Sequence, residues 1–239
     1  MDGLLDRVML AWVSNMSHES NVVTKPWGYE YLAYENQHVA LWFLYISSGQ
    51  CTSMHCHPNK TTGLMLVEGE AEVSFLNNKF PLKPVHKLMI RKGLFHSTKA
   101  VDPNGALVFE IETPVDKNDL VRFKDSYGRE GKPYEDHTFE ELKPSDCVWI
   151  TDPAIGTTHT YNTSKSIINV MSVTDPSDFA TIKPSTNVVF LRGGIMTNYG
   201  INVASPGDIV VVEVLHELMD VFPKIDESTI IMTVENTNE

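Results

Sequence analysis

The stretch GQCTSMHCHPNKTTGLMLVEG, residues 49–69, decides the fold. His55 and His57 stand one residue apart in a run that reads as extended. Side chains alternate faces along a strand, so positions i and i+2 share a face about 7 Å apart. Two imidazoles on one face can aim at one metal ion, and imidazole is a ligand for zinc, copper, iron and nickel. A third histidine, His96, follows another strand pattern and the turn residue Gly93. The spacing predicts a metal site of His55, His57 and His96 inside a small β-barrel.

The flanking sequence supplies the strands of such a barrel. Pro26 and Gly28 mark a turn before a Tyr-rich strand over 29–34, and HVALWFLYI follows, rich in aromatic and branched residues. A hairpin is expected around Glu68 and Gly69, with strands over 63–67 and 71–76. Further strands are expected over 79–83, 87–91 and 106–113. Short strands punctuated by Gly, Pro and Asn read as an all-β sandwich or barrel.

Residues 114–145 change character, being charged and turn-rich, with a helical turn expected over 118–124. We read them as a connector packing on the first barrel. From residue 146 the strand pattern resumes with CVWI, SIINVMSV, TNVVFLRGG, DIVVVEVL and TIIMTV, and a short helix is expected in HELMDVFPKI. Residues 186–218 loosely echo 63–96: strand, Gly, strand, turn, strand, then His. The echo suggests an internal repeat whose second copy lacks the His-x-His pair. The apolar spacing of Leu4, Leu5, Val8, Met9 and Trp12 predicts a short amphipathic helix within residues 1–20. The expected organisation is thus an N-terminal helix over 1–20, a metal-binding barrel over 21–113, the connector over 114–145 and a degenerate second barrel over 146–239.

Composition narrows the function classes. The chain has 239 residues, 42% hydrophobic and 21% charged, enough for real cores. Its net charge of −12 argues against nucleic acid or an anionic membrane as partner, because phosphate backbones need basic surface. Three cysteines, Cys51, Cys56 and Cys147, make no disulfide framework and fit a reducing cytosol. No apolar run reaches the roughly 18 residues of a membrane span, and residues 1–20 do not read as a signal peptide. A cytoplasmic protein is expected.

Residues 49–96 resemble the two motifs of the cupins: Gly49, His55-x-His57 and Gly69, then Gly93-x-x-His96. The resemblance implies a double-stranded β-helix (jelly-roll) barrel, here in two tandem copies with the second degenerate. It also implies a divalent transition metal, Zn, Fe, Ni or Mn, on His55, His57 and His96. Seven residues before Gly69, where the family's metal-binding Glu is usual, this chain has Thr62. That departure implies a three-histidine site with open coordination. A narrower resemblance covers residues 24–131. TKPWGYE, the His-x-His strand and DLVRFKDSYGRE look like the C-terminal cupin of type II mannose-6-phosphate isomerase, often fused to GDP-mannose pyrophosphorylase. Ser53, Pro58 and Thr62 depart from that pattern.

The isomerase resemblance implies a small-molecule substrate, a sugar phosphate or nucleotide sugar. Glu110 falls where that family has a Glu, and is the candidate proton shuttle. Lys60, Thr62, Arg122 and Arg129 are the candidate substrate contacts, the cations because Arg binds phosphate in a bidentate way and Lys as a point charge. Arg122 can instead pair with Asp119 or Asp125 on a helical turn. A metal-bound His usually hands its other N–H to a carboxylate or carbonyl, with Glu110 and Glu112 as candidates. Cys51 shares the parity of the two histidines but reads as a buried hydrophobe. His137, His159 and His216 have no metal spacing, and residues 135–141 read as a solvated face. Three functions compete: a sugar-phosphate isomerase or epimerase, a three-histidine dioxygenase, and a non-catalytic sugar-binding accessory protein. A homodimer is expected, because cupins often pair through their sheets.

Overall fold

The computed structural model describes residues 22–132 and 147–237. The helix expected within 1–20, His137 and the charged run 135–141 lie outside the described residues. The first half begins with strands β1 (Val22–Lys25), β2 (Gly28–Glu35), β3 (Ala40–Ile46), β4 (Met54–Cys56), β5 (Thr61–Glu68) and β6 (Ala71–Phe75). Strands β7 (Lys79–Leu82), β8 (Lys87–Ile90), β9 (His96–Ala100), β10 (Ala106–Thr113) and β11 (Val121–Lys124) follow. They form two antiparallel sheets, ordered β1-β2-β3-β10-β5-β8 and β11-β4-β9-β6-β7.

The pairings are nested. β3 pairs with β10, β4 with β9, β5 with β8 and β6 with β7. Successive pairs fall alternately in the two sheets. A long two-stranded ribbon wound in this way is a double-stranded β-helix, so the all-β cupin fold is present in the strand pairing itself.

The second half contains β12 (Thr158–Asn162), β13 (Ser166–Ser172), a 3-10 turn (Pro176–Thr181), β14 (Asn187–Arg192), β15 (Ile195–Met196), β16 (Asn202–Ala204) and β17 (Ile209–Val211). Helix α1 (Val212–Val221), β18 (Lys224–Ile225) and β19 (Ile230–Asn236) complete it. Here β13 pairs with β19, β14 with β17 and β19, and β15 with β16 and β18. The pairs β13–β19, β14–β17 and β15–β16 are again nested, but a 3-10 turn stands between β13 and β14 and helix α1 between β17 and β18.

Three local expectations are corrected. The helical turn expected over 118–124 is strand β11, because Val121 and Arg122 pair with Cys56 and His55 along the edge of β4. DIVVVEVL is strand only over Ile209–Val211, and then turns into α1. Val212, Leu215 and Met219 are the buried residues of that helix, a spacing of three and four that outweighs the β-propensity of the valines. CVWI is not a strand, although Ile150 is buried and its N–H donates to the Ala33 carbonyl.

The six-stranded sheet is buried on both faces. Trp27, Leu44, Leu64, Leu66 and Val108 fill the first barrel. Their alternates Phe43, Met65, Val67, Phe109 and Ile111 pack with Ile168, Val170, Val189, Ile209 and Met232 of the second half. Antiparallel sheets often leave one face in water, but here residues of the same chain cover it. Val173, Phe179, Phe190 and Leu215 fill a third cluster inside the second half. Among the described residues, no helix is long and apolar enough to cross a membrane.

Candidate metal centre

His55 lies on β4 and pairs directly with His96, the first residue of β9. His57 follows one residue after the end of β4. Gly93 turns the chain into β9 with φ +71°, a left-handed conformation that costs glycine little, and its N–H donates to the His57 carbonyl. The three rings gather with centroids 4.5 Å (His55–His96), 5.0 Å (His55–His57) and 5.7 Å (His57–His96) apart. One ring nitrogen from each lies within 4.8 Å of the other two.

Hydrogen bonding orients every ring. His55 Nδ1 lies 2.8 Å from the Ser53 carbonyl, His57 Nδ1 2.6 Å from the Asp119 carbonyl, and His96 Nδ1 3.0 Å from the Leu94 carbonyl. A carbonyl only accepts, so each Nδ1 carries the proton and each Nε2 keeps its lone pair. The Nε2 atoms of His57 and His96 are buried without a hydrogen-bond partner. Leaving such an atom unsatisfied costs about 1–3 kcal/mol. Three buried imidazoles with bare Nε2 atoms fit a divalent transition ion, and backbone carbonyls rather than Glu110 or Glu112 receive their other N–H groups.

The local field keeps the histidines neutral. Burial pushes His55 well below the usual histidine range, helped by His96 and His57. Burial and the Lys60 ammonium bring His57 down to about 4, against the opposing hydrogen bond to Asp119. Burial also lowers His96.

Beside the histidines lies a buried set of charges from β1, β2, β10 and the residue just before β5. Glu112 Oε2 accepts from Lys60 Nζ at 2.8 Å, and Glu112 Oε1 stands 3.6 Å from His57 Nε2. Glu110, on the same face of β10, is pushed up to about 8 by burial and by the nearby Glu112 and Glu30 carboxylates. Glu30 itself pairs with Lys25 at 3.4 Å. These groups share one cleft with Trp27, Trp42, His55, His57 and Arg122, and the cleft opens to solvent.

The structure spreads the sequence-derived substrate contacts over different environments. Lys60 is buried and bonded to Glu112. Arg122 lines the cleft, and its Nη1 donates to the Lys132 carbonyl at 2.9 Å. Arg129 also lines the cleft but forms a bidentate pair with Asp125, at 2.7 and 3.0 Å. Thr62 is buried on β5 directly opposite Glu112, away from the cleft lining. Cys51 is half-buried rather than buried, bridges Lys99, accepts from Tyr127 Oη on its carbonyl at 3.2 Å, and does not line the cleft. Lys25, Trp27, Glu30 and Asp119 fall within the stretches TKPWGYE and DLVRFKDSYGRE but, like Trp42, are not among the site residues expected from the sequence.

No family model matches the chain, and no curated protein does. Solved structures do. KdgF from Halomonas sp. is 18% identical, covering 42% of this chain and 94% of its own, with a TM-score of 0.38. An uncharacterised conserved protein with a double-stranded β-helix domain from Klebsiella pneumoniae is 16% identical, covering 46% and 96%, with a TM-score of 0.40. A sugar phosphate isomerase from the cupin superfamily of Silicibacter pomeroyi is 12% identical, covering 40% and 64%, with a TM-score of 0.37. Each likeness spans less than half of this chain, whose fold follows from its own strand pairing.

Proposed function

We propose that this chain is a metal-dependent enzyme that moves a proton on a small anionic hydroxy-carbonyl compound. A sugar phosphate or nucleotide sugar undergoing isomerisation or epimerisation fits best. The observation that carries this reading is the placing of Glu110 in one cleft with His55 and His57, two of the three converging histidines. A divalent ion held by His55, His57 and His96 would supply Lewis acidity to neighbouring hydroxyl and carbonyl oxygens of the substrate.

The chain's own groups do the rest. Glu110 takes a proton from one substrate carbon and returns it to the next; a carboxyl titrating near neutrality suits both directions. Lys60 bonds Glu112 and balances its charge. Lys25, Lys117 and Arg122 line the same cleft and favour an anionic substrate. Lys117 sits over the Trp42 ring, 5.4 Å from its centroid, so the cation and an apolar wall face the ligand together. Arg129 acts through Asp125, fixing the 125–129 turn beside the cleft.

In this reading residues 147–237 are a degenerate copy of the barrel that lost its metal strand and now seals the six-stranded sheet. That face being covered within the chain, a homodimer would use another surface. The test is solvent deuterium exchange into C2 of hexose phosphates by the metal-loaded protein. Incorporation that a chelator and Glu110→Gln both abolish is expected. Absence of exchange in metal-loaded protein, with oxygen uptake on thiols or enols instead, would replace this reading with the dioxygenase.

A further inference from the structure

Trp42 and Glu110 are directly opposed across the β3–β10 ladder, and on its other side Glu110 is opposed by Leu64 of β5. Opposed residues on one face of an antiparallel pair hold their Cβ atoms about 4.5–5.5 Å apart. Both Trp42 and Glu110 line the cleft, so the indole flanks the carboxyl that shuttles the proton in the reading above. Trp27 also lines the cleft but is only 4% exposed and belongs to the barrel core. Trp42 is half-buried and packs against that core from its rim. Of the two indoles, Trp42 is the one with surface to offer a ligand.

Around that indole the lining is largely polar. Lys25 pairs with Glu30 at 3.4 Å and Lys60 with Glu112 at 2.8 Å, and Thr52 and Ser53 add hydroxyls. One apolar plane bordered by hydrogen-bonding groups matches a sugar ring, which has a C–H face and an edge of hydroxyls. A nucleobase has two flat faces and gains most between two aromatic walls.

Charge reaches the same place from the segment between β10 and β11. Lys25, Lys60 and Arg129 are each committed to a carboxylate, on Glu30, Glu112 and Asp125. Lys117 is exposed and stands over the Trp42 ring, 5.4 Å from its centroid. A cation–π contact at an exposed site is weak, so an anion beside the indole can draw the ammonium off it.

We propose that Trp42 is the platform for a cyclic sugar phosphate, whose C–H face lies on the indole while Lys117 leaves the ring to hold the phosphate. The ring carbons then stand beside Glu110, which makes Trp42 a specificity-determining residue of the cleft. This rests on the sugar-phosphate reading above, and the experiment separates the two.

The test is calorimetric titration of full-length, chelator-treated protein, so that binding is read without turnover. The probes are the 6-phosphates of glucose, mannose and galactose, the acyclic glucitol 6-phosphate, inorganic phosphate and uridine monophosphate. Wild type should bind at least one cyclic hexose phosphate more tightly than glucitol 6-phosphate. Trp42→Leu should weaken that ligand about 3–10-fold, the scale of an aromatic packing contact, and erase the preference for the ring. It should leave inorganic phosphate within about a factor of two, and Trp42→Phe should keep most of the preference. Lys117→Gln should weaken every phosphate about 2–5-fold, as loss of an exposed ion pair does. Equal weakening of cyclic and acyclic ligands by Trp42→Leu would overturn the proposal, as would a loss confined to uridine monophosphate, or no binding of any sugar phosphate by wild type. Ring preference without solvent deuterium exchange in the metal-loaded protein would sustain the platform and overturn the isomerase reading; exchange without ring preference would do the reverse. Should Trp42→Leu not fold, crystals of wild type soaked with the hexose phosphates decide: a ring lying on the indole supports the proposal, and a ring bound elsewhere overturns it.

Discussion

Glu112 and Glu110 point into the barrel from the same face of β10, but only Glu112 has a cation bonded to it, Lys60 at 2.8 Å. Two residues away, burial leaves Glu110 with its proton up to about pH 8 in the folded protein. The unfolded chain gives that proton up near 4.5, the ordinary value for a glutamate. Between these values the folded state binds more protons, so stability falls as pH rises through the window.

Glu110→Gln removes that loss. In chelated protein, its melting temperature should match wild type near the unfolded carboxyl pKa and exceed it increasingly toward about pH 8. Thermal unfolding at a series of pH values measures this. Parallel curves for the two proteins would show that Glu110 ionises normally. The same variant should lower turnover about 10²–10⁴-fold, the usual contribution of a positioned acid–base group.

The metal-stripped histidines depend on the loop that leads into β11. Asp119 accepts His57 Nδ1–H on its backbone carbonyl, while its carboxylate accepts from Asn59 N–H and Lys60 N–H, each at 2.8 Å, and from Asn59 Nδ2 at 2.9 Å. Burial works to raise its pKa, but those hydrogen bonds outweigh it and hold Asp119 below the usual range. Asp119→Ala should cost about 1.5–3 kcal/mol, the worth of hydrogen bonds to a charged group. It should also weaken Zn(II) binding about 10–100-fold by freeing the His57 ring. Denaturant unfolding of the apo protein and Zn(II) titration read the two effects separately; unchanged affinity would mean that β4 alone orients His57.

How much of this was legible follows from the range of each interaction. The His55-x-His57 spacing is local and survives in sequence as parity, and His96 follows a glycine turn that only a few residues tolerate. Asp119 lies 62 residues from His57 and reaches its ring through a backbone carbonyl, which a side-chain motif does not reveal. Glu112 read as a carboxylate near the site, yet its pairing with Lys60 depends on β5 and β10 being neighbours. The runs ALWFLYI and GLMLVE announced strands, but not that both faces would be buried. Their partner sheet begins about 100 residues later. In α1 the valines masked a helical spacing that only the fold brings out.

Glu68 ties the two halves together. Its carboxylate accepts from Thr163 Oγ1, from Ser164 Oγ at 2.6 Å and from Lys165 N–H at 2.9 Å. Burial opposes ionisation, yet these donors win and lower its pKa. A depressed carboxyl stabilises the fold above its unfolded pKa and loses that contribution as pH falls through the folded value. Glu68→Gln should therefore destabilise by about 1 kcal/mol at neutral pH, modest because the group is partly solvent-screened. The gap should close below the unfolded value of 4.5. Urea midpoints at neutral and acidic pH check this, and a gap that persists in acid would assign the effect to shape rather than charge.

Gly63 tests whether the halves unfold together. It lies on β5 in the same stretch as the histidines, yet a Cβ there would stand 2.8 Å from Ile111 Cγ2 of the neighbouring β10 and 2.9 Å from Ile209 Cδ1 of the second half. Both contacts are ends of branched side chains in a packed cluster, which has little room to give. Gly63→Ala should cost about 1–3 kcal/mol, the usual range for overpacking. Adding Ile209→Val, which removes the Cδ1 atom, should recover part of that loss. Because the cluster draws on β3, β5 and β10 and equally on β13, β14 and β19, the loss should lower one shared melting transition. Calorimetry showing two transitions, with only one displaced by Gly63→Ala, would mean that each barrel holds its own core independently of the face between them.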